Sequence, residues 1–287
     1  MKLVLPILVL LTCAAAGADP LALPNDPSKL SCSSSMPECD LVVVTEVAKA
    51  ALEKLPDHER LQLRFSHSSN AQLATIAKLP WVKRVGVLEG ITDLTPIAKL
   101  SHVEEVHVVT KASLAPLAAM PTLRRLAIAT ELDFGELSAF EKLSELDVLM
   151  ANCGSACVAT IGTMTWLHSL DIAPRDVPAR DLAPLARLTQ LEALRIFDSE
   201  LKDLSLLVRM KQLRKLSLQG NAKLSDIRQL SGLAELREVE LTNGNAVHDA
   251  RVLMKLPKLE FVNLSDDAMS NADKQRLQAA HPDAHVY

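Results

Sequence analysis

One spacing constrains this chain more than any other feature. An apolar-x-x-apolar-x-apolar pattern starts at Val82, Val103, Leu123, Leu143, Leu167, Leu191, Leu213, Leu236 and Leu259, so the unit returns every 20 to 24 residues. A unit of that length holds a short strand and a return segment, and it cannot bury its own apolar face. Stacked units share one core, so the pattern selects a solenoid over two ordinary globular domains. Alternate strand residues point to opposite faces. Leu216 and Leu218 therefore face inward, and Lys215, Ser217 and Gln219 face outward. Each inward Leu contributes about 1.5–3 kcal/mol on burial. A degenerate further unit falls around Leu61 to Phe65, with His58 in its first apolar slot.

Composition fits. Hydrophobic residues make up 48% of the 287-residue chain and aromatics only 3%, which is the makeup of a stacked aliphatic ladder. Between strands the runs Leu94-Thr-Pro-Ile97, Leu114-Ala-Pro-Leu117 and Leu182-Ala-Pro-Leu185 recur. Proline there suits the first turn of a short helix, where its missing N–H costs nothing.

The stretch from Leu213 to Asn221, followed by Leu224-Ser-Asp-Ile227, resembles the internalin-like class of leucine-rich repeats. The resemblance runs from Val82 to Leu264, and more weakly from Leu61. It implies an α/β leucine-rich-repeat solenoid, with a curved parallel sheet on the concave face and short helices or irregular segments on the convex face. It speaks to fold more than to function. The family's strand-capping asparagine stands at Asn221, and Asn243 falls one place early. The rest of that ladder is mostly missing, so the turns need other partners.

The expected organisation is an export signal over 1–18, a linker and N-terminal cap over 19–57, repeats over 58–267 and a C-terminal cap over 268–287. In the first cap Leu41 to Leu55 reads as an amphipathic helix, with Val44, Val47, Ala51 and Leu55 on one stripe. In the last, Ala268 to Ala280 reads as a closing helix and Asp283 to Tyr287 as a short strand. Lys2, the apolar run Leu3 to Thr12 and Ala16-Gly-Ala18 have the layout of a cleaved signal. The run is too short to span a bilayer. The expectation is a bacterial protein that is periplasmic, cell-surface or secreted. A second reading is open: Leu10-Leu-Thr-Cys13 resembles a lipobox, although Thr departs from its usual small residue. Lipidation at Cys13 would place the chain on a membrane surface, which is otherwise not a partner.

Four further cysteines, Cys32, Cys39, Cys153 and Cys157, suggest disulfides in an exported chain. The sequence-local pairing, Cys32–Cys39 with Cys153–Cys157, is the most economical of three. Zinc is the rival, but the spacings lack a Cys-x-x-Cys knuckle and a nearby His. No metal and no cofactor are expected.

The outward positions form columns. The first reads Arg84, Glu105, Arg125, Glu145, Ser169, Ala193, Lys215, Glu238, Phe261. Its alternating signs fit a self-satisfied ion ladder better than a binding rim. The middle column places Asp147 beside Asp171 and next to Arg195, either as one ion cluster or as a recognition spot for a cation. The third is apolar through Leu88, Val109, Ala129, Leu149, Ala173 and Phe197. Contiguous exposed apolar surface marks binding sites, and Phe197 would be the anchor. The competing reading covers this column with a loop or turns it into the core.

Catalytic signatures are missing from the sequence. There is no His-Glu-x-x-His, no Gly-x-Ser-x-Gly and no phosphate-cradling loop. His107 and Asp147 have no nucleophile beside them. Net charge is −4, unlike the basic footprint of nucleic-acid binders, so no nucleic acid is expected. The function expected is non-enzymatic: binding of a protein or peptide across the sheet, or, if lipidated, a scaffold displayed from the envelope.

Overall fold

The computed structural model describes residues 82–87, 91–129, 134–148, 153–243, 246–264 and 268–287 in full, and residues 41–44 and 62–65 as backbone. Its centre is one parallel sheet in which spatial order equals chain order, β1 to β12. The strands are β1 (Leu41–Val44), β2 (Gln62–Phe65), β3 (Arg84–Val87), β4 (Glu105–Val108), β5 (Arg125–Ile128), β6 (Glu145–Val148), β7 (Ser169–Ile172), β8 (Ala193–Ile196), β9 (Lys215–Ser217), β10 (Glu238–Leu241), β11 (Phe261–Leu264) and β12 (His285–Val286). Each pairs in register with the next, so equivalent repeat positions sit side by side.

The core follows the spacing. The first-slot residues Val82, Val103, Leu167, Leu191, Leu213 and Leu236 are fully buried, as are the inward strand residues Val85, Val106, Leu170, Leu194 and Val239. A second apolar ladder comes from the returning segments, with Leu94, Leu114, Leu182, Leu204, Leu224 and Leu253 buried against the first. Two parallel ladders, one behind the sheet and one under the returns, account for a core almost without aromatics.

The returns are short. They include α1 (Thr95–Ala98), α2 (Ala115–Ala118), α3 (Ser155–Ile161) and several 3-10 turns. Pro96 and Pro116 stand in the first turns of α1 and α2, as the spacing predicts. Pro184 does not: it lies inside a 3-10 segment, Ala179–Arg187. The tighter 3-10 winding follows a different hydrogen-bond pattern from the α-helix, and the segment accommodates the proline there.

A recurring start signal opens several of the returns. Asp93 accepts from the Thr95 amide at 2.8 Å, Asp203 from Ser205 at 2.8 Å, Asp226 from Arg228 at 3.0 Å and Asp249 from Arg251 at 3.1 Å. Ser113 does the same for Ala115. These side chains satisfy orphan amides at the start of five returns. The signal is legible as Asp or Ser immediately before the apolar residue that opens the second ladder.

At the C-terminus a helix and a short strand form within the stretches expected for them, over narrower bounds. Helix α4 (Asn271–Ala280) is capped by Ser270, whose hydroxyl accepts from the Asp273 amide at 3.2 Å, and β12 closes the sheet edge. At the N-terminus the expectation does not hold. Leu41–Val44 is a strand paired with β2, where a helix was expected to begin. Three consecutive valines favour the pleated conformation over a helix, and a neighbouring strand edge stands ready to pair. The remainder of that expected helix lies outside the described residues, as do Cys13, Cys32 and Cys39. The degenerate unit is also shifted: Leu63 pairs with Val85 and so takes the second apolar slot, where the expected register put Leu61; His58 lies outside the described residues.

Cys153 and Cys157 form a disulfide with Cα atoms 5.2 Å apart. It joins the residue before the Gly154 cap to the first turn of α3, and both cysteines are buried. Gly162, at the end of α3, is pressed against the next return. A Cβ there would meet Pro184 Cβ at 2.5 Å and its carbonyl oxygen at 2.7 Å.

Candidate binding surface

The outer face of the sheet carries the predicted columns in the predicted register. In the first, Glu105 receives Arg84 at 3.4 Å and Arg125 at 4.0 Å, and Arg125 reaches Glu145 at 3.8 Å. Lys215 and Glu238 pair at 2.8 Å further along. Such partly exposed pairs contribute about 0–1 kcal/mol each, so the column is mainly a self-neutralised support. His107 hydrogen-bonds Glu105 in its own strand, so it is not oriented by Asp147 as a catalytic pair would require.

In the middle column Asp147 and Asp171 are direct register partners on β6 and β7, and Asp171 faces Arg195 on β8. Arg195 Nη1 stands 3.3 Å from Asp171 Oδ2. The Asp171 side chain is 13% exposed and that of Arg195 is 56% exposed, so the carboxylate is largely desolvated while its partner reaches into solvent. Burial pushes the Asp171 carboxyl up to about 6; Arg195 opposes this and Asp147 adds to it. Two carboxylates are thus held side by side with one guanidinium at their edge.

The third column is less open than expected. Val109, Ala129 and Phe197 are half-buried and Ala173 is buried, while Leu88 and Leu149 lie outside the described residues. The backbone explains the covering in part. Val109, Ala129, Ala173 and Phe197 still donate amides to the preceding strand, so these residues remain within the sheet rather than projecting from a loop. Among the described residues the exposed large apolar side chains are Val208 and Tyr287, neither in the column. The structure therefore brings Asp147, Asp171, Arg195 and Phe197 onto adjacent strands, with Val109 three strands from β7.

Buried polar side chains satisfy the backbone at some of the turns that follow the strands. Asn221 is fully buried; its Nδ2 donates to the Ile196 carbonyl at 2.7 Å, and its Oδ1 accepts from the Ser199 amide at 3.1 Å. Ser199 and Thr110 are further buried polar side chains just past strand ends, and Thr110 donates to the Ile91 carbonyl. Ser199 stands one repeat before Asn221 at the equivalent position, where a small hydroxyl replaces the amide. Asn243 has a different task. It sits at φ 59°, equivalent to Gly220 at φ 71° and Asp198 at φ 48°, a left-handed turn position that asparagine and aspartate tolerate.

Among the described residues no cluster of His, Cys, Asp or Glu could hold a metal ion, and no helix is long and apolar enough to cross a membrane.

Comparison with known proteins agrees on architecture. No family model matches, and no curated protein matches by sequence. Among solved structures, the internalin InlF of Listeria monocytogenes superposes with a TM-score of 0.57 at 21% identity, covering 79% of this chain and 67% of that one. The structure of the Drosophila Toll–Spatzle complex superposes with a TM-score of 0.53 at 13% identity, covering 81% of this chain and 35% of that one. Internalin C2 of Listeria monocytogenes aligns at 21% identity over 76% of this chain and 82% of that one, with a TM-score of 0.47. The fold is a leucine-rich-repeat solenoid, similar to that of the internalin InlF, with one open parallel sheet and short returns.

Proposed function

We propose that this chain is an exported, non-enzymatic binding module that docks a protein or peptide on the outer face of its sheet across β4 to β8. The observation that carries the reading is the juxtaposition of Asp147 and Asp171 in register on neighbouring strands. Like charges side by side in a sheet cost stability, and a cationic side chain of a partner removes that cost on binding. Half-buried Phe197 and Val109 supply apolar contact on the same face. A largely desolvated carboxylate makes a stronger charge-assisted bond than an exposed one, so Asp171 sets the position of the cation and Phe197 contributes area. Export rests on the segment Met1 to Ala18. The fold supports an interaction role, since solenoids of this class present an extended surface built from repeated strands.

The test is recovery of a partner from native material by wild type and by Phe197→Asp, with thermal melting as the folding control. Loss of the recovered protein with an unchanged melting point supports the surface; equal recovery removes Phe197 from it. A second reading rests on Leu10-Leu-Thr-Cys13: an envelope-anchored lipoprotein that displays the solenoid as a scaffold. Mass spectrometry of the mature N-terminus separates the two, because a diacylglyceryl Cys13 excludes cleavage after Ala18.

A further inference from the structure

A second charged column runs beside the first, one residue before each strand. Its members are Glu104, Arg124, Ser144, His168, Glu192, Arg214, Arg237 and Glu260. Backbone bonds stack them: Arg124 donates to Glu104, Ser144 to Arg124, His168 to Ser144 and Glu192 to His168, each at 2.8 or 2.9 Å. Neighbouring rungs are therefore about 4.8 Å apart. At both ends the column neutralises itself. Lys83 pairs with Glu104 at 3.1 Å, Arg214 with Glu192 at 3.0 Å, and Arg237 with Glu260.

The three middle rungs behave differently. Arg124, Ser144 and His168 carry no acid, and Lys142 adjoins them. Arg124, Lys142 and His168 are exposed. Among the described residues no carboxylate pairs with any of the three, whereas cations at both ends of the column have one. All of them line one open groove of about 700 Å³, together with Ser144, Glu145 and Glu192. The two acids in that groove are already engaged, Glu145 by Arg125 at 3.8 Å and Glu192 by Arg214 at 3.0 Å. The groove is thus a positive site on a chain whose net charge is −4.

We propose that this groove is a second binding site, for an acidic peptide segment whose carboxylates pair with Arg124 and Lys142, with His168 as a further donor. Charge complementarity selects the occupant. Arg124 offers a planar fork that matches a carboxylate bidentately, and Lys142 a compact charge beside it. An extended peptide lying along the sheet edge would present successive side chains at 6 to 7 Å on one face, about the length of one and a half rungs. The site is distinct from Asp147 and Asp171, which occupy the middle column of the same strands and call for the opposite charge.

The experiment titrates the full chain with fluorescently labelled hexaglutamate, at low and at physiological salt, with hexalysine as the charge control. Wild type binds hexaglutamate, and salt weakens the binding. Arg124→Glu combined with Lys142→Glu lowers affinity about tenfold or more. Lys202→Glu combined with Lys255→Glu makes the same change of charge outside the groove and leaves affinity within about twofold. Arg124→Gln combined with Lys142→Gln gives an intermediate loss and guards against misfolding of the reversed variant, with thermal melting recorded for each. Equal losses in the groove and control variants, or no binding of hexaglutamate, overturn the proposal. Binding of heparin in the absence of hexaglutamate binding overturns the assignment to an acidic peptide.

Discussion

Asn221 holds Ser199 across two repeats: its buried Oδ1 accepts from the Ser199 amide at 3.1 Å and also receives the Ser199 hydroxyl. The same side chain donates to the Ile196 carbonyl at 2.7 Å and to the Gln219 carbonyl at 3.2 Å. One residue therefore satisfies polar groups that the turns at the ends of β8 and β9 would otherwise bury unpaired. Asn221→Ala leaves those groups without partners and is expected to cost about 2–4 kcal/mol. Chemical denaturation measures it. A loss below about 0.5 kcal/mol would show that water or a rearranged turn replaces the amide.

Gly162 tests the packing of the returns. Its hydrogen faces Pro184 backbone where a Cβ would stand at 2.5–2.8 Å from three heavy atoms, and backbone atoms do not move aside as a flexible side chain would. Gly162→Ala is expected to destabilise by about 1–3 kcal/mol despite the higher helix propensity of alanine. Thermal and denaturant unfolding decide the sign. A stabilised variant would mean that the contact between α3 and the Ala179–Arg187 segment opens easily.

Asp171 makes stability depend on pH. Its carboxyl is raised from the usual 3.8 to about 6, chiefly by burial. The folded state then binds more protons than the unfolded state between those two values, so stability falls as pH rises through that window. The penalty is absent below about 3.8, grows up to about 6 and is fully present above. Asp171→Asn removes it. The variant should gain on the order of 2 kcal/mol relative to wild type on going from pH 4 to pH 7. A constant difference between the two proteins across that range contradicts the desolvated setting of Asp171.

The Cys153–Cys157 bridge closes a short loop, with a sequence separation of 4. Short loops save little chain entropy, so Cys153→Ala with Cys157→Ala should cost only about 2 kcal/mol by loop closure. Peptide-level hydrogen exchange places the effect: protection should fall at α3 while the neighbouring strands β6 and β7 keep theirs. Loss of protection across the whole sheet would give the bridge a larger role than its position implies.

The repeat carried most of the fold on the sequence because stacking imposes one periodicity on every unit. Val82, Leu213 and their equivalents are buried where the spacing puts them, and Asp147 meets Asp171 in the expected register. Legibility failed where local chemistry competed with the repeat. Leu41-Val-Val-Val44 has an apolar residue at every position, so a helical stripe and a buried strand read alike, and the neighbouring strand decides between them. Asn243, by contrast, falls one place before the Asn221 position in the sequence, and its backbone takes the turn occupied by Gly220. The partial covering of Val109 and Phe197 depends on how strand ends turn, which the alternation of side chains does not encode.

The most direct test of the outer sheet face as the binding surface is site-specific photocrosslinking in native material. A photoreactive residue at Ala193 or Ser169 lies on that face, and one at Val208 or Arg187 lies among the returns. A discrete adduct with the same protein from positions 193 and 169, and none from 208 and 187, is the predicted result. Adducts from the returns alone would contradict the account.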